Sequence, residues 1–368
     1  MAFATDVFVI GGGPAGLAAA IAARGKGFRV TVADGGVPPI DKPCGEGLLP
    51  DTLAALSELG VTIHVGEGHA LRGIRFVDSY SEVAAGFPQA NGIGIRRPVL
   101  HQWLIDRATE LGASLLWKTP VNGIRTDGVV AGGEVYRAQW IVGADGIHSR
   151  VRKWSGLETR TEGNRRFAHR QHYRVAPWTD FLEIYWGEHA QAYVTPVSQQ
   201  EIGVVTVSRL AGRRGSSLVA EFPELGRRLA GAQQVTAERG AITLIQKLEA
   251  VYRGNVALLG DASGSVDAIT GEGLCLGFRQ ALALADALEA GDLRGYAREH
   301  RRLARRPELM GRLMLLLDGR TKLRERAIRA LASDPTLFAR LVAAHIGASS
   351  GAQLASAGAM LGWRFVGA

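Results

Sequence analysis

Cysteine is scarce in this sequence, and the scarcity argues against two kinds of site. Among 368 residues only Cys44 and Cys275 are cysteines, and they lie far apart without the close spacing typical of metal ligands. Neither a disulfide framework nor a zinc site is predicted from such a pair. We therefore expect no bound metal and a reducing, cytoplasmic compartment.

Long apolar runs are also missing. No uninterrupted apolar stretch reaches the roughly 20 residues that a membrane-spanning helix needs, and no apolar leader precedes the first strand-like segment. We therefore expect a protein that is neither secreted nor membrane-spanning. With 46% hydrophobic and 21% charged residues, the composition is that of a globular chain with core enough for one large or two ordinary domains.

The charge balance is basic, but no nucleic-acid-binding module accompanies it. The net charge is +8 and the pI is near 9.8, which suits a phosphate-bearing cofactor or an anionic membrane, so no nucleic-acid partner is expected. Much of the positive charge lies in a helical-looking segment over residues 294–329. Such a run usually marks a solvated helix face, and its leucine-rich stretches leave peripheral membrane contact as the alternative. The oligomeric state is left open.

The most informative segment present is a glycine-rich turn close to the N-terminus. A strand-like run over residues 6–10 leads into Gly-Gly-Gly-Pro-Ala-Gly at 11–16, and small helix-forming residues follow. In such a unit Gly11 permits the tight turn, Gly13 lets a pyrophosphate approach the backbone, and Gly16 lets the helix pack on the sheet. The N-terminus of the helix then faces the phosphates. The motif predicts a bound dinucleotide and leaves NAD and FAD as alternatives.

Five further segments, distant along the chain, are expected to contribute to the same nucleotide site. Asp34 ends a second strand-like run, where its carboxylate can accept hydrogen bonds from ribose hydroxyls. Arg97 opens a helical pattern, from which an arginine can reach a phosphate. The other three are turns whose small residues allow a ligand to approach: Gly143-Ala144-Asp145-Gly146, Gly260-Asp261, and Gly271-Glu272-Gly273 at the start of a long helix.

Between these motifs the hydrophobic periodicity changes from that of helices to that of strands. The stretches 167–175, 181–186, 191–197 and 201–209 are predicted to be successive antiparallel strands. A sheet there would cover the nucleotide site and provide a pocket for a bulky apolar ligand. The alternative is that its aromatic residues fill the core of the sheet itself, because alternate strand residues face both ways. The candidate pocket residues are Tyr173, Tyr185 and Tyr193.

These segments together predict an α/β fold that is α+β overall. We expect a Rossmann-like nucleotide-binding domain, an inserted antiparallel-sheet substrate domain and a C-terminal helical tail. The predicted bounds are 1–80, 95–160 and 250–290 for the first, 161–249 for the second and 291–368 for the third.

The three glycine motifs, in this order and at these separations, resemble those of FAD-dependent oxidoreductases of the p-hydroxybenzoate hydroxylase superfamily, and the resemblance runs from residue 4 to about residue 290. It implies that the cofactor is FAD, with the first motif and Arg97 at the phosphates and Asp34 and Asp261 at hydroxyl groups. The residues implied to bind FAD are Gly11, Gly13, Pro14, Ala15, Gly16, Asp34, Cys44, Gly45, Arg97, Val121, Asp145, Gly146, Gly260, Asp261, Gly271, Glu272 and Gly273.

Two short segments bear on the branch of the superfamily. Residues 43–48, Pro-Cys-Gly-Glu-Gly-Leu, and residues 270–273, Thr-Gly-Glu-Gly, resemble the flavin-facing loops of geranylgeranyl reductases. This resemblance implies that Cys44 is a catalytic proton donor with Glu46 as its partner; the alternative is an unreactive buried apolar thiol. Aromatic hydroxylases usually carry histidine and proline where this chain has Gly264 and Ala268, and the reductases also tend to have proline at the second position.

The resemblance thus implies an FAD-dependent oxidoreductase that is reduced by NADPH or NADH and acts on a bulky, largely apolar or aromatic small molecule. Reduction of a carbon–carbon double bond, as in geranylgeranyl reductases, is favoured. The alternative within the superfamily is a monooxygenase, a hydroxylase or epoxidase, that uses a flavin C4a-hydroperoxide. Outside it stand an NAD-dependent dehydrogenase, which would use the first glycine motif alone, and a non-catalytic flavin-binding module.

Overall fold

The computed structural model describes residues 5–158 and 165–349, which form ten helices and nineteen strands. The helices are α1 Pro14–Gly25, α2 Pro50–Glu58, α3 Arg97–Glu110, α4 Arg150–Trp154, α5 Gly215–Val219, α6 Pro223–Leu229, α7 Gly273–Glu289, α8 Leu293–Asp318, α9 Thr321–Ser333 and α10 Pro335–His345. The strands are β1 Thr5–Ile10, β2 Val30–Ala33, β3 Gly47–Leu48, β4 His69–Leu71, β5 Gly73–Val77, β6 Glu82–Gly86, β7 Gly92–Gly94, β8 Ser114–Leu116, β9 Val121–Arg125, β10 Gly128–Ala131, β11 Glu134–Gly143, β12 Arg166–Arg174, β13 Phe181–Trp186, β14 Ala190–Ser198, β15 Glu201–Ser208, β16 Gln233–Gln234, β17 Arg239–Thr243, β18 Tyr252–Arg253 and β19 Val256–Leu258.

The first sheet is built around β1, a short apolar strand covered on both faces. Its order is β18-β19-β11-β1-β2-β8, and the pairs from β19 to β8 are parallel. Val7, Phe8 and Val9 have no exposed surface, as expected of a strand in a buried parallel sheet. Helices α1, α3 and α7 pack on one face. Because β1, β11 and β19 pair in parallel, their ends, where the three glycine motifs begin, lie together at the carboxyl edge.

The second sheet is largely antiparallel, with the order β16-β12-β15-β14-β13-β5-β6 and β17 paired to β12. It includes the four strands predicted from periodicity. It also includes β5 and β6, which corrects the predicted bound of residue 80 for the nucleotide-binding domain: residues 73–77 pair in parallel with β13, and residues 82–86 form the edge of this sheet. A parallel pairing across about a hundred residues leaves no local sequence signal.

The C-terminal region is helical, as predicted, over the part that the structure describes. Helix α8 packs against α7, and α9 and α10 pack on the edge strand β6. Residues 350–368 of the predicted tail lie outside the described residues. Among the residues described, no helix is both long enough and apolar enough to cross a membrane. The mixed α/β architecture with a Rossmann-like sheet, an antiparallel sheet and a helical end confirms the predicted fold class.

Candidate active site

One cavity of about 1910 Å³ runs between the two sheets and under the C-terminal helices. Its wall includes the carboxyl edge of the first sheet, one face of the second sheet and the inner faces of α8, α9 and α10. Ligand pockets typically measure ~300–1,000 Å³. The cavity is therefore large enough to hold a cofactor and a bulky second ligand at once.

The first glycine motif forms one end of this cavity and leaves a helix N-terminus open. Gly11 has φ +109°, and a Cβ there would lie 2.4 Å from the carbonyl oxygen of Ala144. A Cβ on Gly16 would lie 1.9 Å from the carbonyl oxygen of Gly11, so both positions require glycine for packing. Gly13, the N-cap of α1, has no side-chain cap and lines the cavity together with Pro14 and Ala15. The uncapped amides of α1 make an anion-binding site facing the cavity.

Asp34 lies beside this motif and is held by two backbone amides. Its Oδ2 accepts a hydrogen bond of 2.7 Å from the amide of Gly12, and its Oδ1 accepts one of 2.7 Å from the amide of Gly36. The residue lines the cavity, as does Val121. Because each carboxylate oxygen retains a second lone pair, Asp34 can still accept from a sugar hydroxyl, and that contact stays a prediction.

Two charged side chains on the cavity wall have no ion-pair partner among the described residues. Arg97, the first residue of α3, lines the cavity, and its buried Nε has no hydrogen-bond partner in the described part of the chain. Asp261 is accessible to the cavity although protein surrounds it, and burial raises the pKa of its carboxyl against the opposing effect of the Arg97 charge. An unpaired cation and an unpaired carboxylate fit the phosphate and polyol groups of a dinucleotide.

The second and third glycine motifs are joined by a buried arginine. Asp145 lines the cavity, but its carboxylate accepts from the Ser149 hydroxyl at 2.5 Å and from the amide of Arg150 at 2.7 Å, so it caps the start of α4. Arg152 donates to the carbonyl of Ala262 at 3.1 Å and to that of Ile147 at 2.8 Å. Gly146 and Gly260 line the cavity beside these contacts. The arginine therefore fixes the distance between the two turns.

His101 is a positioning residue that the sequence did not reveal. It is fully buried in α3; its Nε2 donates to the carbonyl of Gly12 at 2.7 Å, and its Nδ1 accepts from the amide of Ile40 at 3.2 Å. Burial lowers the pKa of the imidazole, which favours the neutral form that this pair of bonds requires. His101 thus ties the glycine motif to the segment that leads to Cys44.

Cys44, Gly45 and Glu46 all line the cavity, but the carboxylate of Glu46 is bound by groups other than the Cys44 thiol. Glu46 has φ +60° and is buried. Its carboxylate accepts from the amide of Arg97 at 2.9 Å, from Arg170 at 3.1 Å and from Nε2 of His172 at 2.5 Å. This corrects the prediction that Glu46 is the acid–base partner of Cys44, because its carboxylate is taken up by these three donors and the hydrogen bond to the sulfur, at 3.4 Å, comes from its backbone amide.

The second sheet holds this loop in place through buried polar contacts. Arg170 on β12 has no exposed surface and donates to both carboxylate oxygens of Asp41, at 2.8 and 2.7 Å. Thr195 on β14 donates to the carbonyl of Gly45 at 2.7 Å. A buried ion pair of this kind loses much of its stabilisation to desolvation, but removing one partner leaves an uncompensated charge. The loop geometry at Cys44 therefore depends on the sheet beneath it.

A second loop, residues 267–273, contributes to the wall of the same cavity as Cys44. Asp267 caps a 3-10 turn by accepting from the amide of Ile269 at 2.9 Å, and it pairs with the buried Arg166 of β12 at 2.6 Å. The hydroxyl of Tyr193 donates to the carbonyl of Ile269 at 2.9 Å. These bonds attach the loop to the middle of the second sheet.

Glu272 within this loop does not line the cavity, although Gly271 and Gly273 on either side do. Gly271 has φ +68° at the end of the 3-10 turn, and the carboxylate of Glu272 is directed to Arg306 of α8 at 3.1 Å and to His345 of α10 at 3.7 Å. Burial raises the pKa of this carboxyl. The carboxylate of Glu272 therefore links the loop to the C-terminal helices, and a contact of this residue with the cofactor stays a prediction.

Of the three tyrosines predicted to line a substrate pocket, one does. Tyr193 lies on the cavity face of the sheet. Tyr173 and Tyr185 lie on the opposite face, where they pack with Phe222 and the rest of helices α5 and α6, and the hydroxyl of Tyr185 donates to Glu183 at 2.9 Å. The prediction for Tyr173 and Tyr185 is wrong because they belong to the core that the sheet forms with these helices.

The C-terminal helices close the cavity with an apolar surface that sequence reasoning did not assign to the site. They face the cavity side of the second sheet, whose contributions include Ile74, Phe76 and Ile184. In the described part of the chain, the cavity wall between this sheet and the helices is mostly apolar and includes only a few polar side chains, among them His169 and Tyr193. The helix residues on this wall include Leu309, Met310, Leu313, Met314, Leu331 and Phe338.

Comparison with known proteins indicates which ligand fits the end of the cavity formed by the first glycine motif. The profile of a protein family described as "FAD binding domain" matches residues 4–305. The open N-terminus of α1, the free space at Gly13 and the unpaired Nε of Arg97 fit the pyrophosphate of FAD. From there the cavity continues to Cys44 and Gly271.

Relatives with curated names include both reductases and a hydroxylase. The chain is 27% identical over 315 residues to menaquinone reductase of Mycobacterium tuberculosis, covering 78% of this chain and 77% of that protein. It is 29% identical over 295 residues to digeranylgeranylglycerophospholipid reductase 1 of Methanopyrus kandleri, covering 73% and 76%. It is 27% identical over 320 residues to ubiquinone hydroxylase UbiL of Rhodospirillum rubrum, covering 79% and 73%.

Solved structures share the fold. A flavoprotein/dehydrogenase from Cytophaga hutchinsonii superposes with a TM-score of 0.81 at 20% sequence identity, covering 93% of this chain and 92% of that one. At this identity the likeness shows the architecture alone.

Proposed function

The chain belongs to the family defined by this FAD-binding domain, it is an FAD-dependent oxidoreductase, and from that premise we propose that it reduces a carbon–carbon double bond in a bulky, largely apolar substrate. The observation that carries the proposal is the apolar part of the cavity, which continues from the flavin-facing loops into the space under the C-terminal helices. It offers few polar groups to orient a small phenol or acid. The names of two relatives, menaquinone reductase and digeranylgeranylglycerophospholipid reductase 1, support the reductase reading.

In this reaction, different residues of the site would have different roles. FAD, when bound and reduced by the electron donor, would supply the hydride for one carbon of the double bond and return to its oxidised form. The amides of α1 and Arg97 bind its phosphates, and Asp34 and Asp261 accept from its hydroxyls. The apolar wall excludes water from the reacting carbons. The half-buried Cys44 is the candidate to hold, at Sγ, the proton that the second carbon receives.

We propose NADPH or NADH as the electron donor. Support comes from the exposed basic residues beside the second glycine motif: Arg150 lies over the ring of Trp154 at 4.7 Å, and both line the cavity next to His148. An exposed guanidinium at the cavity edge suits the phosphates of a nicotinamide dinucleotide. Comparing the rates at which the two nucleotides bleach the flavin absorbance, in the protein and in an Arg150→Ala variant, tests this assignment.

We also propose that the substrate reaches the cavity from a membrane surface. Leu309, Leu313 and Leu316 on α8 line the cavity and are 44%, 44% and 42% exposed, and exposed cations such as Arg305 and Arg312 flank them. A helix face of leucines bordered by arginines is typical of helices that lie in the interface of an anionic bilayer.

The product of an oxygen-free reaction tests the reductase function. FAD-loaded protein, NADPH and a geranylgeranyl-bearing glycerolipid or menaquinone are incubated without oxygen, and the product is weighed by mass spectrometry. The proposal predicts a gain of two hydrogen atoms in the isoprenoid chain. With menaquinone, the product is reoxidised to the quinone before weighing, because reduction of the ring alone also adds two hydrogen atoms. A product that forms only in air and gains an oxygen atom would instead establish a monooxygenase, the second candidate, which the name of the relative ubiquinone hydroxylase UbiL supports. A Cys44→Ala variant is expected to keep flavin reduction by NADPH and to slow product formation.

A further inference from the structure

The apolar part of the cavity has a direction, because its floor is a row of side chains across the second sheet. Ile184 on β13 pairs with Tyr193 on β14 on one side and with Phe76 on β5 on the other. All three line the cavity, so they lie side by side on one face. Neighbouring strands are about 4.8 Å apart, which places Phe76 about 10 Å from Tyr193 along this row.

The Tyr193 end of the row lies at the loop of residues 267–273, which is called the flavin-facing loop below. The Tyr193 hydroxyl donates to the carbonyl of Ile269, at 2.9 Å. Above it, Gly311 of α8 lies so close to Thr270 that a Cβ on Gly311 would be 3.5 Å from the Thr270 methyl group. The loop and α8 therefore meet over β14, and the row from Tyr193 to Phe76 leads away from the loop.

The other end of the row is closed by aromatic rings. The ring of Phe76 contacts that of Phe338 from α10, with centroids 4.9 Å apart, and packs edge-on against Trp186, with centroids 5.5 Å apart. Phe76 and Phe338 line the cavity, whereas Trp186 lies behind them and is 2% exposed. The two phenylalanines thus form a wall where the sheet meets α10.

The opposite direction is open. Leu309 and Leu313 on α8 and Ile242 on β17 line the cavity and are partly exposed, Ile242 by 36%. Strand β17 pairs with β12, on the far side of β14 from β5. An apolar chain that enters between α8 and β17 passes the flavin-facing loop and then meets the aromatic wall.

We propose that Phe76 and Phe338 form a stop that limits how far an apolar chain can pass beyond the flavin-facing loop. About 10 Å of chain fits between Tyr193 and this stop. The stop sets the longest linear chain that binds with its end in the cavity. Where the proposed reductase function holds, on which this part rests, it also sets which double bond of that chain meets the flavin.

The test measures binding separately from turnover. Oxidised, FAD-loaded protein is titrated with geraniol, farnesol, geranylgeraniol and geranylfarnesol, and binding is followed by the change in the visible flavin spectrum. We expect affinity to rise by at least about tenfold for each added isoprenoid unit that fits, since even a single methylene in an apolar pocket is worth that much. The increase stops at the length that reaches the wall.

Two variants of opposite effect locate the stop. Phe338→Ala opens the wall and is expected to extend the series by at least one isoprenoid unit, with a gain of at least about tenfold for the first alcohol beyond the wild-type limit. Ile184→Phe narrows the passage midway and is expected to shorten the series. Phe222→Ala is the matched control: it removes the same group from a residue that is 4% exposed on the opposite face of the sheet, and it is expected to leave the limit unchanged.

The outcomes separate this inference from the proposed reaction. An unchanged length limit in folded, FAD-loaded Ile184→Phe or Phe338→Ala overturns the stop, even if the protein reduces double bonds. A shifted limit in a protein that reduces none of the bound alcohols, nor their lipid esters, supports the stop and removes the reductase function. If Phe338→Ala does not fold, Ile184→Phe alone gives the answer. In an active protein, mass spectrometric mapping of the reduced bond is expected to move by one unit in Phe338→Ala.

Discussion

Replacing Gly13 with alanine separates cofactor binding from folding. Gly13 has φ −71° and ψ 176°, which alanine adopts without strain, and a Cβ there would meet no protein atom within 4 Å. We therefore expect the free energy of unfolding of the apoprotein to change by less than about 1 kcal/mol. The usual gain of about 0.4–1 kcal/mol for such a substitution at a compatible position is opposed by the lower preference of alanine for an N-cap.

The same methyl group would stand in front of the uncapped N-terminus of α1, where the pyrophosphate is expected. Losing one hydrogen bond to a charged group costs about 1.5–3 kcal/mol, so the dissociation constant of FAD should increase roughly ten- to 150-fold. Fluorescence titration of apoprotein with FAD measures this constant, and thermal unfolding without FAD measures stability.

Gly25→Ala provides the matched control for this experiment. Gly25 belongs to the same helix, its Cβ would also meet nothing within 4 Å, and it does not line the cavity. FAD affinity should be unchanged in this variant. If Gly13→Ala folds and binds FAD as tightly as Gly25→Ala does, the pyrophosphate does not lie at α1 and the assignment of the site is refuted.

Three further predictions concern a histidine, an ion pair and a surface. Burial lowers the pKa of His101 below its ordinary 6.5, so the unfolded chain takes up the proton first and stability is lost as the pH falls below 6.5. His101→Gln keeps a donor and an acceptor without titrating, so the melting temperature of this variant should fall less over that range. Parallel profiles of melting temperature against pH for the two proteins would contradict this prediction. Glu46→Ala removes one of the two carboxylates that bind the buried Arg170 and should cost about 1–3 kcal/mol in urea unfolding, because Asp41 still pairs with the guanidinium. Glu224→Gln, at a surface pair with Arg228, should cost little, and equal effects of the two variants would refute this difference. Anionic vesicles should bind the protein more tightly than neutral ones, and Leu313→Ser together with Leu316→Ser should weaken that binding; binding that ignores both lipid charge and these leucines would remove the membrane proposal.

Most of what could be predicted about the first sheet from the sequence came from local motifs. The turns at Gly11, Gly143 and Gly260 each follow a strand, and parallel strands bring such turns together at one edge. The fold class and the FAD-binding family therefore followed from short segments. The buried His101 lay outside any motif, since a lone histidine in a helix carries no signal of the two backbone groups it joins.

Side-chain direction was the part that local reasoning missed. Glu46 and Glu272 both stand in glycine-rich loops at the cavity, yet each carboxylate turns to partners far along the chain, Arg170 and Arg306 among them. In the second sheet, a shift of one residue exchanges the two faces. Tyr185 and Ile184 are neighbours in sequence, but only Ile184 faces the cavity, and the helices that cover the other face are short and weakly patterned.

Anaerobic reoxidation of the reduced protein tests the central claim most directly. FAD-loaded protein is reduced with one equivalent of dithionite, mixed without oxygen with a geranylgeranyl-bearing lipid, and followed by the return of flavin absorbance. The account predicts that the absorbance returns with the lipid alone, in step with the appearance of a product heavier by two hydrogen atoms. A flavin that stays reduced until oxygen is admitted, with every geranylgeranyl-bearing lipid supplied, would contradict it.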